Sequence, residues 1–287
     1  MCRCGVTHMG VGATMLIPPT KTNGGFNCCA TTTYFDGSND DMRRTSTMGG
    51  ISASRRGLIA FDLGWVNSIP TSRTLFSIST NGLNASTVVG FDASSRLTMT
   101  VTDGSPTSIF SFRTNVAFNL VSVPFSFFRF LVSWDTDFSA GNKIGKIWNS
   151  ITGSDTVITS DAAAAFTIPY NQSRTTFHIG ATVSGPRLEG VHTNFLFAPG
   201  VYQDVHDPTV QEYYFTPDET PVCEWFTSNN GGWACGSQPA IYWRDKFDSF
   251  QNNYGYGGAF TVTGALTGER SPCDTLLGDG GGVIIPD

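Results

Sequence analysis

Short runs of alternating polar and apolar residues, separated by turn-forming residues, dominate the chain from about residue 31 to residue 199. Thr, Ser, Val, Ile and Phe fill these runs and fit pleated surfaces, while Gly, Pro, Asn and Asp lie between them. A two-residue period that breaks at such turns predicts β-strands. The predicted strands are Thr31–Asp36, Leu58–Leu63, Thr74–Ser79, Thr87–Phe91, Arg96–Thr102, Ser108–Arg113, Phe127–Trp134, Lys143–Trp148, Thr156–Thr159, Thr175–Ile179 and Thr193–Phe197.

The spacing of these strands indicates how they are arranged. Arg96–Thr102 and Ser108–Arg113 flank Asp103-Gly104-Ser105-Pro106, a sequence that predicts a β-hairpin. Phe127–Trp134 is the most apolar of the predicted strands and is expected at the centre of a sheet. Strands and helices do not alternate along the chain, which argues against a parallel sheet. Many short strands at this spacing predict an all-β protein, either a sandwich or a jelly roll.

Two short helices are predicted near the C-terminal end. The first is Asp207–Tyr214, because Asp207 suits the N-cap, Pro208 suits the first helical position and Pro217 follows the end. The second is Asp245–Gln251.

The pattern divides the chain into three parts. Residues 1–30 are rich in Gly, Thr and Pro without a clear period, and they predict an extended arm that is mobile or wrapped on a neighbouring subunit. Residues 31–215 are predicted to form the jelly roll. Residues 216–287 are predicted to be a loop-rich extension that packs on the jelly roll.

Several short sequences resemble those of a known domain family. Tyr34–Asp40 resembles the first strand and turn of LamG-like, concanavalin A-like domains, and Phe130–Asp135 resembles one of their most regular strands. Lys146–Ser150 is similar to a later strand, and His178–Gly180 with Asn194–Pro199 is similar to the closing strands. The similar segments follow one another in the family's order.

The C-terminal part resembles a narrower group of proteins. Gly236–Tyr242 and Gly255–Gly264 are similar to the end of LamG-like proteins in tailed-phage genomes. The resemblance covers residues 31–267 and implies a concanavalin A-like jelly roll of two antiparallel sheets. It also implies a role in adhesion or particle decoration. Some relatives bind glycans or calcium and some are glucanases, but these properties transfer only with matching residues.

Composition limits the partners of the chain. A net charge of −6 argues against a nucleic-acid partner, because phosphate binding needs a basic surface. No apolar run approaches the roughly 18 residues of a membrane span, and the first residues lack the apolar core of a signal peptide. We therefore expect a protein without a membrane partner, made in a cytoplasm and released by a route such as lysis. The resemblance to tailed-phage proteins implies that it is assembled into a virion in the host cytoplasm.

The seven cysteines lie near the two ends of the chain, with none between residues 30 and 222. Three interpretations remain open. The cysteines are free thiols in a reducing cytosol, or they form disulfides between chains after release, or Cys2 and Cys4 bind zinc together with His8, Cys28 and Cys29. The candidate thiols for an interchain cluster are Cys2, Cys4, Cys28, Cys29, Cys223, Cys235 and Cys273.

The sequence lacks the motifs of the common catalytic sites. A glucanase needs two carboxylates that face one cleft from alternate positions of a strand, and no glutamate of this chain has an acidic residue two positions away. The motifs of α/β-hydrolases, zinc proteases and nucleotide-binding enzymes are also missing from the sequence. The histidines stand apart, and His178, within a predicted strand, is expected to be a hydrogen-bonded structural residue. The sequence therefore predicts a protein without enzymatic activity.

No cofactor is expected, and apart from the zinc interpretation of the cysteines the sequence suggests calcium as a bound ion. Asp36, Asn39 and Asp40 surround a predicted turn and offer the hard oxygen ligands that calcium prefers. The alternative interpretation is that these side chains bond their own backbone, as in many turns without a metal.

A cluster of aromatic residues gives a candidate glycan-binding surface. Trp233, Trp243, Tyr254 and Tyr256 lie among several asparagines; a flat ring can stack on a sugar and an amide can bond its hydroxyl groups. The alternative is that these rings pack the C-terminal segment onto the sandwich.

These observations predict a non-enzymatic structural component of a tailed-phage particle. It would be a decoration, neck or collar, or fibre-type subunit that forms a homo-oligomer and contacts other virion proteins. The alternative function is a receptor-binding module that recognises a glycan of the host surface.

Overall fold

A computed structural model describes most of the chain between Thr32 and Glu269. The described residues are 32–64, 71–79, 85–102, 108–118, 127–139, 142–161, 165–171, 175–182, 187–214, 233–243, 253–264 and 266–269. The predicted arm 1–30 and the predicted helix 245–251 lie outside the described residues.

The described residues form sixteen strands and one short helix. In chain order they are β1 (Thr32–Asp36), β2 (Asp41–Arg44), β3 (Arg56–Gly64), β4 (Arg73–Ser79), β5 (Ala85–Phe91), β6 (Leu97–Thr102), β7 (Ser108–Arg113), β8 (Phe127–Ser139), β9 (Asn142–Asn149), β10 (Gly153–Ser154), β11 (Val157–Asp161), β12 (Thr176–Ile179), β13 (Glu189–Pro199), α1 (Pro208–Gln211), β14 (Ile241–Trp243), β15 (Thr261–Thr263) and β16 (Thr267–Glu269).

The strands assemble into two antiparallel sheets. Sheet A has the order β10-β9-β8-β3-β13-β1-β16, with β14 also paired to β13, and sheet B has the order β11-β7-β6-β5-β4-β12-β2-β15. The predicted fold class, an all-β antiparallel jelly-roll sandwich, is confirmed. The predicted hairpin is present as β6 and β7, which pair from Thr98 opposite Arg113 to Thr102 opposite Ser108.

The inner faces of the two sheets enclose the main hydrophobic core. Alternate residues of β8 (Phe130, Val132 and Trp134) point into it, as the period of a strand requires. Gly57 lies opposite Trp134 in the β3–β8 ladder, and the indole occupies the space that a Cβ at Gly57 would need. β8 therefore lies at the centre of sheet A, as its apolar sequence predicts.

The outer face of sheet A is covered by a second apolar layer, here called the outer core. The intervening residues of the central strands, such as Ala60, Leu131 and Leu196, pack in it against residues that follow β13. Its members are Leu58, Ala60, Leu131, Leu196, Ala198, Val205, Tyr214, Ala234, Cys235 and Tyr242. Sheet A is consequently buried on both faces at its centre, which explains its nearly continuous apolar strands.

The C-terminal residues complete both sheets. β14 pairs with β13 and β16 pairs with β1 in sheet A, whereas β15 pairs with β2 in sheet B. These parts of the predicted extension 216–287 are thus strands of the sandwich. The boundary predicted at residue 215 stays a prediction.

The helix α1 begins where the sequence predicts. Asp207 is its N-cap and accepts a hydrogen bond from the backbone N–H of Thr209, with Pro208 at the first helical position. The helix ends at Gln211, earlier than the predicted Tyr214.

Candidate functional site

A polar cleft lies on sheet A where β3 begins. Its lining residues are Ala53, Ser54, Arg55, Arg56, Asp135, Asp137 and Thr167, and its volume is about 340 Å³, within the roughly 300–1,000 Å³ of small-molecule sites. Ser54 and Ile168 exchange two backbone hydrogen bonds of 3.0 and 2.8 Å. The segment that carries Thr167 is therefore held against the start of β3.

Two arginine–aspartate pairs define the charge of the cleft. Arg56 lies directly opposite Asp135 in the β3–β8 ladder, and its Nε donates to Asp135 Oδ2 at 2.7 Å. The backbone N–H of Asp137 donates to the other oxygen of Asp135 at 2.9 Å, and Arg55 forms an ion pair with Asp137. Only the Asp135 carboxylate is buried; the two guanidinium groups are about half exposed. The lining is consequently balanced in charge and open to a ligand.

Two aromatic rings, Phe138 and Tyr202, pack together near Asp135, but neither is among the residues that line the cleft. Phe138 follows Asp137, is half exposed, and its ring centroid lies 5.2 Å from that of Tyr202. Burial, together with the nearby carboxylates of Asp204 and Asp135, raises the pKa of Tyr202 to about 12. The Tyr202 hydroxyl is buried, and no described residue forms a hydrogen bond with it. Tyr202 thus remains a protonated donor at neutral pH.

The cleft places hydrogen-bond donors and acceptors side by side. A sugar hydroxyl both donates and accepts, so a guanidinium beside a carboxylate can bond neighbouring hydroxyl groups of one ring. The balanced charge gives no preference for a charged ligand. The arrangement therefore suits a polar, uncharged ligand rich in hydroxyl groups.

This pair of carboxylates is absent from the sequence prediction, which rested on the acidic neighbours of the glutamates alone. Asp135 and Asp137 stand two positions apart on one strand, the spacing that was required of a carboxylate pair. The signal was present in Ser133-Trp134-Asp135-Thr136-Asp137.

A second charged group lies on the outer face of sheet A, close to the outer core. Arg129 Nε lies 3.0 Å from Asp62 Oδ1, Asn194 Nδ2 donates to Asp62 Oδ2 at 3.0 Å, and Arg129 Nη1 donates to the carbonyl oxygen of Tyr214 at 3.4 Å. Burial raises the pKa of Asp62, although the Arg129 charge and the two hydrogen bonds oppose the shift. This group ties the end of the α1 segment to β3 and β8.

His178 is hydrogen-bonded, in agreement with its predicted structural role. Its Nδ1 lies 3.1 Å from Asp41 Oδ2, and Arg187 Nη1 lies 3.3 Å from Asp41 Oδ1. Burial alone would raise the pKa of Asp41, but the His178 hydrogen bond and the Arg187 charge outweigh it, so the pKa is lowered. The cluster links β2 to β12 in sheet B.

The predicted calcium turn is an Asx-type turn closed by its own side chains. Asp36 Oδ1 accepts hydrogen bonds from the backbone N–H groups of Ser38 and Asn39, and Asp40 Oδ2 accepts one from that of Asp36. Within the described part of the chain, no group of three His, Cys, Asp or Glu side chains is placed to hold a metal ion. Calcium binding at Asp36, Asn39 and Asp40 stays a prediction.

The structure separates the four aromatic residues predicted to bind a glycan. Trp243 is a member of the main core and is 2% exposed, so its inclusion was wrong: β14 turns its ring inward. Trp233 packs edge-on against Tyr242 at the outer core. Tyr254 and Tyr256 are about one-third exposed, and glycan binding by these two tyrosines stays a prediction.

Cys235 is the one candidate thiol within the described residues. It is buried in the outer core and is a free cysteine, and burial raises its pKa to about 11. An interchain disulfide needs an accessible thiolate, so including Cys235 in the predicted interchain cluster was wrong. Cys2, Cys4, Cys28, Cys29, Cys223 and Cys273 lie outside the described residues.

Comparison with known proteins gives likenesses in structure alone. No protein-family model matches the chain, and no curated protein sequence matches it. The native heptameric SAP-like pentraxin from Limulus polyphemus is similar, with 11% sequence identity and a TM-score of 0.47 over 83% of this chain and 94% of the pentraxin chain.

Two further solved structures are much longer than the part that resembles this chain. Domains LG4-5 of the mouse laminin α1 chain show 13% identity and a TM-score of 0.39 over 59% of this chain and 41% of that chain. The enzymatically active domain of tailspike protein 2 from bacteriophage CBA120 shows 14% identity and a TM-score of 0.42 over 71% of this chain and 28% of that chain. This chain thus spans less than half the length of either. Likenesses at this level carry no argument about function.

The prediction that the chain lacks enzymatic activity is wrong as it was drawn. A bacteriophage tailspike domain whose structure is similar over 28% of its length is enzymatically active, so the comparisons give no ground for excluding an activity. The missing glutamate pair does not exclude chemistry either, because Asp135 and Asp137 occupy alternate positions of β8.

The single helix among the described residues, α1, is too short to cross a membrane.

Proposed function

We propose that this chain is a structural component of a tailed-phage particle and acts through contacts with neighbouring proteins. Decoration, neck or collar, and fibre-type subunits remain the alternatives for its place on the particle. The proposal is supported by one observation, which concerns the two C-terminal segments that resemble phage proteins.

Gly236–Tyr242 and Gly255–Gly264 are separated by the 12 residues 243–254 but form one hydrogen-bonded unit. The backbone N–H of Tyr256 donates to Pro239 at 3.0 Å, and that of Gly257 donates to Ala240 at 2.9 Å. A Cβ at Gly255 would lie 2.6 Å from the carbonyl oxygens of Pro239 and Ala240, so this approach needs a glycine.

This unit supplies a strand to each sheet, β14 to sheet A and β15 to sheet B. The two short resemblances are therefore parts of one structural feature, which makes their joint occurrence more specific than either sequence alone. We take this as support for a kinship with the phage proteins that carry both segments.

The experiment is to identify the proteins of purified phage particles by mass spectrometry and to run the particles on reducing and non-reducing gels. Detection of the chain at a fixed copy number per particle is expected. Its absence from particles would contradict the proposal. Migration as a multimer only without reductant would add interchain disulfides from the cysteines outside the described residues.

The cleft at Arg55, Arg56, Asp135 and Asp137 favours a second candidate function, recognition of a glycan of the host surface. The balanced ion pairs that line the cleft support an uncharged saccharide as the ligand. Glycan-array binding of the purified chain tests it, with sugar release assayed in the same samples to detect turnover.

Two variants separate the cleft from the tyrosine surface. D137N removes a partly exposed charge of the cleft, whereas the matched substitution Y254F alters a tyrosine of the other predicted surface. Loss of binding in D137N alone is the expected result. Loss in Y254F alone would move the site to the tyrosines, and no binding by the unaltered chain would contradict glycan recognition.

A further inference from the structure

The hydrogen bonds within the polar cleft leave some of its donors unused. Each arginine uses one nitrogen for its aspartate: Nε of Arg56 donates to Asp135, and Nη1 of Arg55 donates to Asp137. The Nη1 and Nη2 groups of Arg56, whose side chain is 56% exposed, form no hydrogen bond with a described residue. Because a guanidinium holds its five N–H donors in one plane, Arg56 can still offer a pair of parallel N–H groups to a ligand.

The carboxylate oxygens of the cleft are mostly occupied. Asp135 accepts from Arg56 at one oxygen and from the backbone N–H of Asp137 at the other. Asp137 is paired with Arg55 through Oδ2, so its Oδ1 is the one carboxylate oxygen of the cleft that accepts no hydrogen bond from a described residue. The Asp137 side chain is 29% exposed. The cleft therefore presents one paired donor and one strong acceptor to a ligand.

A secondary amide is the uncharged group that matches this pair. Its carbonyl oxygen has two lone pairs and can accept from both N–H groups of Arg56, while its N–H can donate to Oδ1 of Asp137. A hydroxyl group must donate and accept through a single oxygen, whereas an amide separates the two roles. A carboxylate would accept from Arg56 but would be repelled by the charge of Asp137.

The backbone of the cleft indicates where the amide comes from. Ser54 and Ile168 bond to each other through both their N–H and C=O groups, and the N–H of Thr136 donates to the carbonyl oxygen of Arg55 at 3.0 Å. The N–H of Arg56 donates to Ser54 Oγ at 3.1 Å. An extended peptide that adds to a sheet binds through unpaired backbone groups, and these groups are already paired. Side chains must therefore recognise the ligand, which favours an amide attached to a sugar ring over the amides of a peptide.

The other lining residues suit the rest of such a ligand. Ala53, the apolar member of the lining, is exposed and can contact the methyl group of an acetylated amide. Ser54 and Thr167 bring hydroxyl groups, which can donate to or accept from the hydroxyl groups of a sugar. The amide, its methyl group and the sugar ring would thus each have a partner in the cleft.

We propose that the cleft binds an N-acetylated amino sugar, whose amide carbonyl oxygen accepts from Arg56 and whose amide N–H donates to Asp137. The buried Asp135 carboxylate holds Arg56 in place. The inference rests on glycan recognition, the second of the proposed functions, and names the class of glycan.

Binding of two trisaccharides to the full chain tests the inference. Triacetylchitotriose and cellotriose have the same linkage and the same glucose backbone. They differ at the second carbon of each ring, which carries an acetamido group in the first and a hydroxyl group in the second. Isothermal titration calorimetry is expected to give a dissociation constant about tenfold lower for triacetylchitotriose, because its amide adds hydrogen bonds to charged groups.

Two variants connect this preference to the cleft. R56K keeps the positive charge but loses the pair of parallel N–H groups, and it is expected to bring the two dissociation constants together. D137N replaces the carboxylate by a weaker acceptor and is expected to weaken binding of triacetylchitotriose about tenfold. The matched control Y213F changes an exposed tyrosine beside α1, outside the lining of the cleft, and is expected to leave both constants unchanged.

The outcomes separate this inference from the functions proposed above. Equal affinity of the unaltered chain for the two trisaccharides would overturn the inference and leave glycan recognition in place. A preference for triacetylchitotriose that persists in both R56K and D137N would also overturn it, because the site would then lie elsewhere. If no saccharide of the glycan array binds, the inference fails together with glycan recognition, and the proposed role in the particle stands.

Discussion

Strands β3 and β8 carry two arginine–aspartate pairs on the outer face of sheet A, each directly across the ladder. Arg56 lies opposite Asp135 at one end, and Asp62 lies opposite Arg129 at the other. The Arg56 side chain is 56% exposed, whereas that of Arg129 is 6% exposed. Both pairs join one arginine to one aspartate, with the two residue types exchanged between the strands. The main difference between them is the outer-core segment that covers the Asp62–Arg129 pair, here called the cover.

This difference in burial changes what each pair contributes to the stability and function of the protein. At the open end, water solvates Arg56, and the pair lines a cleft that a ligand can enter. At the covered end, the charges are removed from water. Asn194 donates to Asp62 and Arg129 donates to the Tyr214 carbonyl, and these hydrogen bonds offset part of the cost of burying the charges. A buried pair of this kind stabilises little as a whole, but it is costly to break.

The largest expected effect comes from breaking the covered pair on one side. D62N leaves the Arg129 charge buried without a counter-charge, and we expect the free energy of unfolding to fall by about 3–5 kcal/mol. Urea denaturation followed by tryptophan fluorescence measures it. The double variant D62L/R129M removes both charges and is expected to recover most of the loss. If D62N lowers the free energy of unfolding no more than R56Q does, burial does not distinguish the two pairs.

A smaller effect is expected from acid, through the pair in sheet B. The folded-state pKa of Asp41 lies below its ordinary value of 3.8, so ionised Asp41 stabilises the fold above that value. This stabilisation is lost as pH falls through the lowered pKa. Melting temperatures of the unaltered chain and D41N from pH 7 to pH 3 should therefore converge toward acid. Parallel curves would show that Asp41 is not the responsible group.

The open pair is expected to contribute least to stability among the three. R56Q removes a guanidinium that is about half exposed, and the Asp135 carboxylate keeps its hydrogen bond from the backbone N–H of Asp137. We therefore expect a change of about 0–1 kcal/mol in the free energy of unfolding. The measurement is the same urea titration. A loss above roughly 2 kcal/mol would mean that the cleft is part of the structural core.

The reactivity of Cys235 measures how tightly the outer core is closed, without any substitution. It lies in the outer core, and its pKa of about 11 keeps it protonated at pH 8. We expect iodoacetamide to label it at least tenfold more slowly in the native chain than in urea, as followed by peptide mass spectrometry. Equal labelling rates would show that the outer core opens readily. The Asp62–Arg129 pair would then be exposed to water, as the Arg56–Asp135 pair is.

Local sequence patterns predicted the strands well and predicted tertiary environment poorly. The β6–β7 hairpin and the N-cap at Asp207 depend on residues close in sequence, and both are present. The inward position of Trp243 depends on pairing with β13, about 50 residues earlier in the chain. No period within a three-residue strand specifies such a pairing.

The candidate site shows the same limit. The alternate carboxylates of β8 could have been found from the sequence, since their spacing is local. Their arginine partners could not, because Arg55 and Arg56 lie 82 and 79 residues away from them. The cover over Asp62 and Arg129 likewise comes from a segment that no local pattern connects with β3.

The late strands of the sandwich have a consequence for its synthesis. Thr32 pairs with Glu269, and Met42 pairs with Val262, so the first described strand of each sheet waits for a partner more than 200 residues later in the chain. Neither sheet can be completed before β15 and β16 have left the ribosome. The nascent chain must therefore hold β1 and β2 unpaired on one side while the intervening residues are made, and a chaperone bound there would limit misassembly.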